Sequence, residues 1–187
     1  MFRPVLSCLM ILFLLATPSA AAARDVTPFV SPEWLVQNRA LPRLRIVDVR
    51  SAADYRRGHI PGAGNASVNS WAAARGGLLR ELPDGPGLKK LLDPLGAGGD
   101  SMIVVVGKGD SDFDRADAFR VAWTILAAGL GNVAVLDGGY SRWLREKRPV
   151  AVEQPAFSPG DTRGQMDTSR AVSKREVLDK MRTSVLV

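Results

Sequence analysis

Three short apolar runs constrain this chain more than any other feature. They are Leu44–Val49, Met102–Val106 and Val133–Leu136. Each is rich in β-branched residues, bounded by polar residues or glycine, and too short for a helix. Strands this apolar have almost no side left for solvent. They need cover on both faces, which a parallel sheet between layers of helices provides. Phe29–Val30 adds a short first strand and Ala66–Val68 a third.

Helical segments fall between these runs. Ser31-Pro32-Glu33 reads as a helix start, with a hydroxyl N-cap, proline at the first helical position and an acid in the first turn. That helix runs to Asn38. Ser51–Arg57 makes a short helix and Gly58–Gly64 a loop shaped by its glycines and Pro61. Gly85–Leu95 forms a helix ended by Gly96–Gly99. Arg115–Ala128 is amphipathic, with Ala118, Phe119, Ala122, Trp123 and Leu126 on one side, and Gly129 and Gly131 stop it. Gly138-Gly139 turns the chain into a last helix, Tyr140–Glu146. Trp34, Trp123 and Trp143 fall at core positions of their helices, whereas Trp71 lies in a loop-like stretch.

The ends of the chain read differently. Residues 1–23 have the form of a secretory signal peptide: a positive start at Arg3, an apolar run Val5–Ala16, and small residues up to Ala21-Ala22-Ala23. Cleavage near Arg24 makes the protein exported, periplasmic or secreted, with no membrane contact afterwards. An uncleaved anchor is the alternative. Cys8 does not follow the apolar run, as a lipoprotein cysteine would. It is also the only cysteine of the 187 residues. Residues 24–187 therefore offer no disulfide, thiolate nucleophile or cysteine metal ligand. The net charge of +6 comes from scattered arginines. No basic helix with interleaved aromatics stands out, so nucleic acid is not an expected partner, while small anionic substrates fit. Asn65-Ala66-Ser67 matches a glycosylation sequon, which matters only in a eukaryotic secretory route.

The polar loop Gly107–Asp114 contains Asp110-x-Asp112-x-Asp114, the opening of a calcium loop. Arg115 stands where that motif needs glycine and Val121 where it needs glutamate. Helix capping is the reading adopted, and no metal site is expected. Beyond Arg148 the chain is rich in proline and glycine, and residues 151–168 read as a linker. Residues 169–187 then repeat an earlier pattern. Val172-Ser173-Lys174-Arg175-Glu176-Val177-Leu178 parallels Val30-Ser31-Pro32-Glu33-Trp34-Leu35, with Ser173 and Glu176 as a capping box. Ser184–Val187 parallels the start of the strand at Arg45-Ile46-Val47.

Several motifs together resemble the rhodanese family of sulfurtransferases, specifically the N-terminal half of a tandem-domain thiosulfate or 3-mercaptopyruvate sulfurtransferase. They are Val30–Leu35, Ile46–Arg50, Gly58-His59-Ile60-Pro61-Gly62-Ala63, Arg120-Val121-Ala122-Trp123 and Val135–Trp143. The resemblance implies an α/β rhodanese-like domain at 28–150, with a five-stranded parallel sheet and helices on both faces. It implies that residues 169–187 open a second, truncated rhodanese domain. The expected partners are that C-terminal domain and a small anionic sulfur donor; no cofactor is implied.

Family chemistry rests on one cysteine, just after the strand matching Met102–Val106. It takes sulfur as a persulfide and passes it to cyanide or another thiophile. Here Lys108 falls near that position, and Ser111 cannot form a persulfide. Asp110, Asp112, Asp114 and Asp117 place the wrong charge nearby. The expectation is an inactive domain. Read alone, Asp48 and Arg50 also suit substrate binding, His59 a general base, and Lys108 an anion anchor. The resemblance instead makes Asp48, Arg50, His59, Asp137, Gly138 and Gly139 structural, fixing loops. A different class of function also fits: an exported, cysteine-free binding module on the same fold.

Overall fold

The computed structural model describes residues 25–75, 78–167 and 174–182. The signal-like leader at 1–23, Ser173 of the second capping box and the strand start at Ser184–Val187 lie outside them. The elements are β1 (Phe29–Val30), α1 (Pro32–Asn38), β2 (Leu44–Asp48), α2 (Ala52–Arg57), β3 (Ala63–Asn65), β4 (Ala73–Arg75), β5 (Leu78–Glu81), α3 (Gly85–Leu92), β6 (Met102–Val106), α4 (Asp112–Ala127), β7 (Val133–Leu136), α5 (Gly139–Arg145) and α6 (Lys174–Arg182). Short 3-10 turns cover Val68–Trp71 and Asp93–Leu95.

Five strands form one sheet in the order β1-β7-β6-β2-β3, and every neighbouring pair is parallel. Successive residues of a strand point to opposite faces, and the core divides accordingly. Val47, Ile103, Val105, Val133 and Val135 pack on one face with Leu92 of α3 and Val121 and Ile125 of α4. Leu44, Ile46, Val104 and Leu136 pack on the other with Leu35 of α1, Tyr55 of α2 and Trp143 of α5. The expected α/β fold, with helices on both faces of a five-stranded parallel sheet, is what the chain adopts.

Three details differ from expectation. The third strand is Ala63–Asn65, with Ile46 opposite Ala63 and Asp48 opposite Asn65, and Ala66–Val68 instead leads into a 3-10 turn. Ala63 and Gly64 are poor strand formers, but the site demands small residues. A Cβ on Gly64 would meet Leu95 Cδ2 at 2.5 Å and Phe157 Cε2 at 2.9 Å. Second, β4 and β5 form an unanticipated antiparallel pair. Third, α4 begins at Asp112 and buries Ala118, Val121, Ala122 and Ile125. The small Ala118 and Ala122 let the helix lie close to the sheet. Phe119 and Trp123, expected inside, are 41% and 37% exposed. Phe119 meets the ring of Phe29 edge to face across 5.6 Å. Trp71 is fully buried, its indole N–H donating to the Ala66 carbonyl.

The stretch read as a linker is held against the domain over residues 151–167. Ala151 and His59 exchange two backbone hydrogen bonds of 2.9 Å. Phe157 lies against the Gly64 position, with the Arg45 guanidinium 5.9 Å from its ring centre. The Thr162 N–H and hydroxyl both donate to Asp93 Oδ1, at 3.1 and 2.6 Å, and Lys89 Nζ donates to the Thr162 carbonyl at 2.6 Å.

Burial alone pushes the Asp93 carboxyl up, but the Thr162 hydroxyl and the Lys89 ammonium bring it below the ordinary aspartate value. A depressed folded value means that this fastening is intact above the unfolded aspartate range and is lost as pH falls through the folded value. Thr162→Val should cost about 1 kcal/mol at neutral pH and should reduce the stability lost between neutral and strongly acidic solution. Urea midpoints of both proteins at the two pH values measure the effect; unchanged midpoints would show that the strap is not fastened there.

Candidate functional site

In an open parallel sheet, sites form beyond the carboxyl ends of the strands. At that edge the chain gathers the end of β2, the loop after α2, the loop after β6 and the start of α5.

Asp48 ends β2 and is fully buried; Arg50 follows and is nearly so. Arg50 Nε lies 3.0 and 3.1 Å from the two Asp48 carboxylate oxygens, and Nη2 is 2.6 Å from Oδ2. The Arg50 N–H also donates to Oδ1 at 3.0 Å. Nη2 reaches on to the Gly58 carbonyl at 2.9 Å. The guanidinium carbon stands 3.6 Å from the centre of the Tyr140 ring. Burial pushes the Tyr140 phenol up, so it stays neutral. Every polar reach of this pair that the structure describes is directed inward, at protein groups. The Asn65 side-chain amide spends its N–H groups on the Asp48 and Arg50 carbonyls, at 2.8 and 3.0 Å. In this fold the sequon asparagine is therefore a strut.

His59 is fully buried and stacked on Tyr55, with ring centres 3.8 Å apart. Its two ring nitrogens face the carbonyls of Tyr55 and Glu153. No nucleophile stands in those contacts.

The loop after β6 carries the other expected residues. Lys108 Nζ is 3.1 Å from the Asp110 carboxylate. Its hydrogen bond to Asp110, reinforced by the charges of Asp110, Asp114 and Asp54, holds the ammonium above its ordinary value. Asp110 is lowered in turn by hydrogen bonds from Ser141 and Lys108. Asp114 turns back on the loop. One of its oxygens accepts from Asp110 N–H at 3.2 Å, Ser111 N–H at 2.9 Å and Ser111 Oγ at 2.8 Å. Ser111 Oγ accepts from Asp114 N–H, which completes a capping box at the start of α4. Asp112 pairs with Arg115. The three alternating aspartates thus have separate partners. Among the described residues no group of three or more His, Cys, Asp or Glu side chains could hold a metal.

Asp137, Gly138 and Gly139 hold this loop from behind. The N–H groups of Tyr140 and Ser141 donate to the Gly107 and Lys108 carbonyls at 2.9 and 3.0 Å. A Cβ on Gly139 would lie 2.6 and 2.8 Å from those same two oxygens, and Gly139 has φ +58. Only glycine fits that turn without strain. Asp137 pairs with Arg142, which also bonds Glu146 at 2.8 Å.

Two openings flank Lys108. One, of about 140 Å3, is lined by Arg50, Ser51, Asp54, Lys108, Asp114 and Asp117. The other, of about 440 Å3, runs along Arg57, Tyr140, Leu144 and Val150. Sequence reasoning named Asp48, Arg50, His59 and Lys108. It missed Tyr140 as the platform under Arg50 and Glu153 as a partner of His59. The family resemblance pointed to a loop-fixing role for Asp48 and Arg50, but a backbone carbonyl 94 residues from His59 leaves no mark in sequence.

Comparison with known proteins identifies the family and supports the fold. The rhodanese-like domain family matches residues 31–146. A Synechococcus elongatus protein, provisionally named a thiosulfate sulfurtransferase, is 32% identical over 79% of this chain and 47% of its own length. Mouse thiosulfate sulfurtransferase is 26% identical over 82% of this chain and 55% of its own. The chain spans about half the length of the curated relatives it matches. Among solved structures, the Escherichia coli 3-mercaptopyruvate sulfotransferase SseA superposes with a TM-score of 0.72 at 24% identity. That match covers 84% of this chain and 62% of the other, and bears on the fold.

Removing one member of a buried ion pair leaves the other charge uncompensated. Asp48→Asn or Arg50→Met should each cost about 3–5 kcal/mol. The double variant should lose clearly less than the sum, because no unpaired charge remains. Denaturant unfolding of the three variants tests this, and additive losses would contradict it.

Proposed function

Because the chain belongs to the rhodanese-like family, we propose that its domain is the non-catalytic N-terminal half of an exported two-domain sulfurtransferase. In such a protein a second rhodanese domain carries the persulfide cysteine. It takes sulfur from a small anionic donor, thiosulfate or 3-mercaptopyruvate, and passes it to cyanide or another thiophile. The half described here supplies a rigid face and holds the strap.

One observation carries this reading: the loop after β6 is already filled by its own charges. A persulfide loop needs free N–H donors and a thiolate at a helix start. Here the Asp114 carboxylate takes Asp110 N–H, Ser111 N–H and Ser111 Oγ. Lys108 is bound to Asp110. A second anion would meet Asp54, Asp114 and Asp117 in the small opening beside Lys108.

Two further features support the pairing. The relatives named as sulfurtransferases are about twice as long as the part matched. Helix α6 leaves Val177, Leu178 and Met181 exposed on one side. Counted from Ser173 as from Ser31, Val177 stands in the place of Leu35, which is fully buried under the sheet. A helix with that stripe suits a sheet of the same kind.

The purified 187-residue protein, given thiosulfate or 3-mercaptopyruvate and cyanide, should yield no thiocyanate above background. Lys108→Cys alone should not change that, since Asp114 still fills the loop. Turnover by the unaltered chain would overturn the reading. A gene that continues past Val187 with an Asp-x-Arg strand end and a cysteine loop would support it.

A further inference from the structure

His59 is the only histidine of the chain, and the sulfur chemistry proposed above makes no use of it. Nδ1 lies 3.0 Å from the Tyr55 carbonyl oxygen, and Nε2 lies 3.1 Å from that of Glu153. Both oxygens are acceptors only. A neutral imidazole has one N–H and one lone pair. Between two carbonyls it makes one hydrogen bond and sets its lone pair against the other oxygen. The ring is fully buried, so water cannot relieve that contact. An imidazolium has two N–H groups and satisfies both carbonyls. Its face lies on Tyr55 with the planes 10° apart, and an aromatic face favours a cation.

The groups around the ring allow that charge. From α2 comes Tyr55, whose phenol burial pushes up, so it stays neutral. At the end of β2 the Asp48–Arg50 pair is internally compensated and holds the neighbouring Gly58 carbonyl. From α5 the Tyr140 hydroxyl stands beside Gly58, and it too is neutral. The strap brings Glu153, whose carboxylate lies 3.4 Å from the Val152 N–H.

From this geometry we infer that His59 is a proton-operated clasp on the strap. As imidazolium it binds residues 151–153 to the loop that follows α2, and loss of one proton loosens that segment. The segment borders the larger opening, since Val150 forms part of its wall together with Arg50, Lys108 and Tyr140. A loosened strap would widen that opening. The sign is opposite to that at Asp93, whose fastening needs its carboxylate ionised. Protonation holds the 151–153 end and deprotonation holds the 162 end, so the strap is fully fastened only between the two titrations. None of this depends on where sulfur chemistry takes place.

A single histidine makes the test direct. Long-range 1H–15N spectra of the uniformly 15N-labelled protein show one imidazole. Two protonated ring nitrogens are expected while the strap is attached. As pH rises, loss of one ring proton should share its midpoint with shifts of the Ala151, Val152 and Glu153 amides, while the Thr162 amide stays in place. In His59→Gln that titration of the three amides should disappear. One bare ring nitrogen at every pH where the protein is folded would overturn the inference. So would a ring that keeps both protons until unfolding, or strap amides that ignore its titration.

Discussion

The edge of the sheet depends on one buried guanidinium. Arg50 is compensated by Asp48, two residues earlier, in a place where an unpaired charge would be severely penalised. Its planar fork meets both carboxylate oxygens and still has a donor for the Gly58 carbonyl, while its face rests on Tyr140. A lysine has neither the fork nor the flat face. The end of β2, the loop after α2 and the distant start of α5 are thereby brought to one point. The openings beside Lys108 are the space left between them.

How much of this was legible in sequence follows from the kind of interaction involved. The two-faced core was readable because the parity of β2, β6 and β7 residues sorts them onto opposite faces, and runs that are nearly all apolar demand cover on both. Ser31 and Ser51 announced helix starts because capping is local, whereas Ser111, the N-cap of α4, was read as part of the loop. What failed depended on contacts distant in sequence. β3 is made of residues chosen for size, since Leu95 and Phe157 crowd Gly64. Helix α4 was assigned its large residues as core, yet close approach to the sheet selects Ala118 and Ala122 and leaves Trp123 outside. At the site, the structural role of Asp48 and Arg50 was expected from the family resemblance, while Tyr140 and Glu153 come from α5 and the strap.

The loop after β6 satisfies its own backbone N–H groups from within the chain. Turn, glycines and helix start are all present, and Gly138-Gly139 brace them. The backbone N–H groups at such a helix start attract an anion. Asp114 supplies one from within the chain, and the Lys108–Asp110 pair balances the charge beside it. The fold therefore keeps the geometry of an anion loop while its electrostatic demand is already met.

Residues 151–167 contain no helix or strand, yet they carry a structural task. β3 is an edge strand, and an uncovered edge presents unpaired backbone groups and apolar surface. The strap starts at His59, crosses with Phe157 over Gly64, and is tied again at Asp93, Ala97 and Ala127. Its fastenings differ in chemistry: paired backbone bonds and an imidazole at one end, an aromatic ring in the middle, a carboxylate at the other end. A segment rich in proline loses less entropy on being fixed than a flexible one would. Proline and glycine there are therefore compatible with a fixed path over the edge, and composition alone does not distinguish such a strap from a free linker.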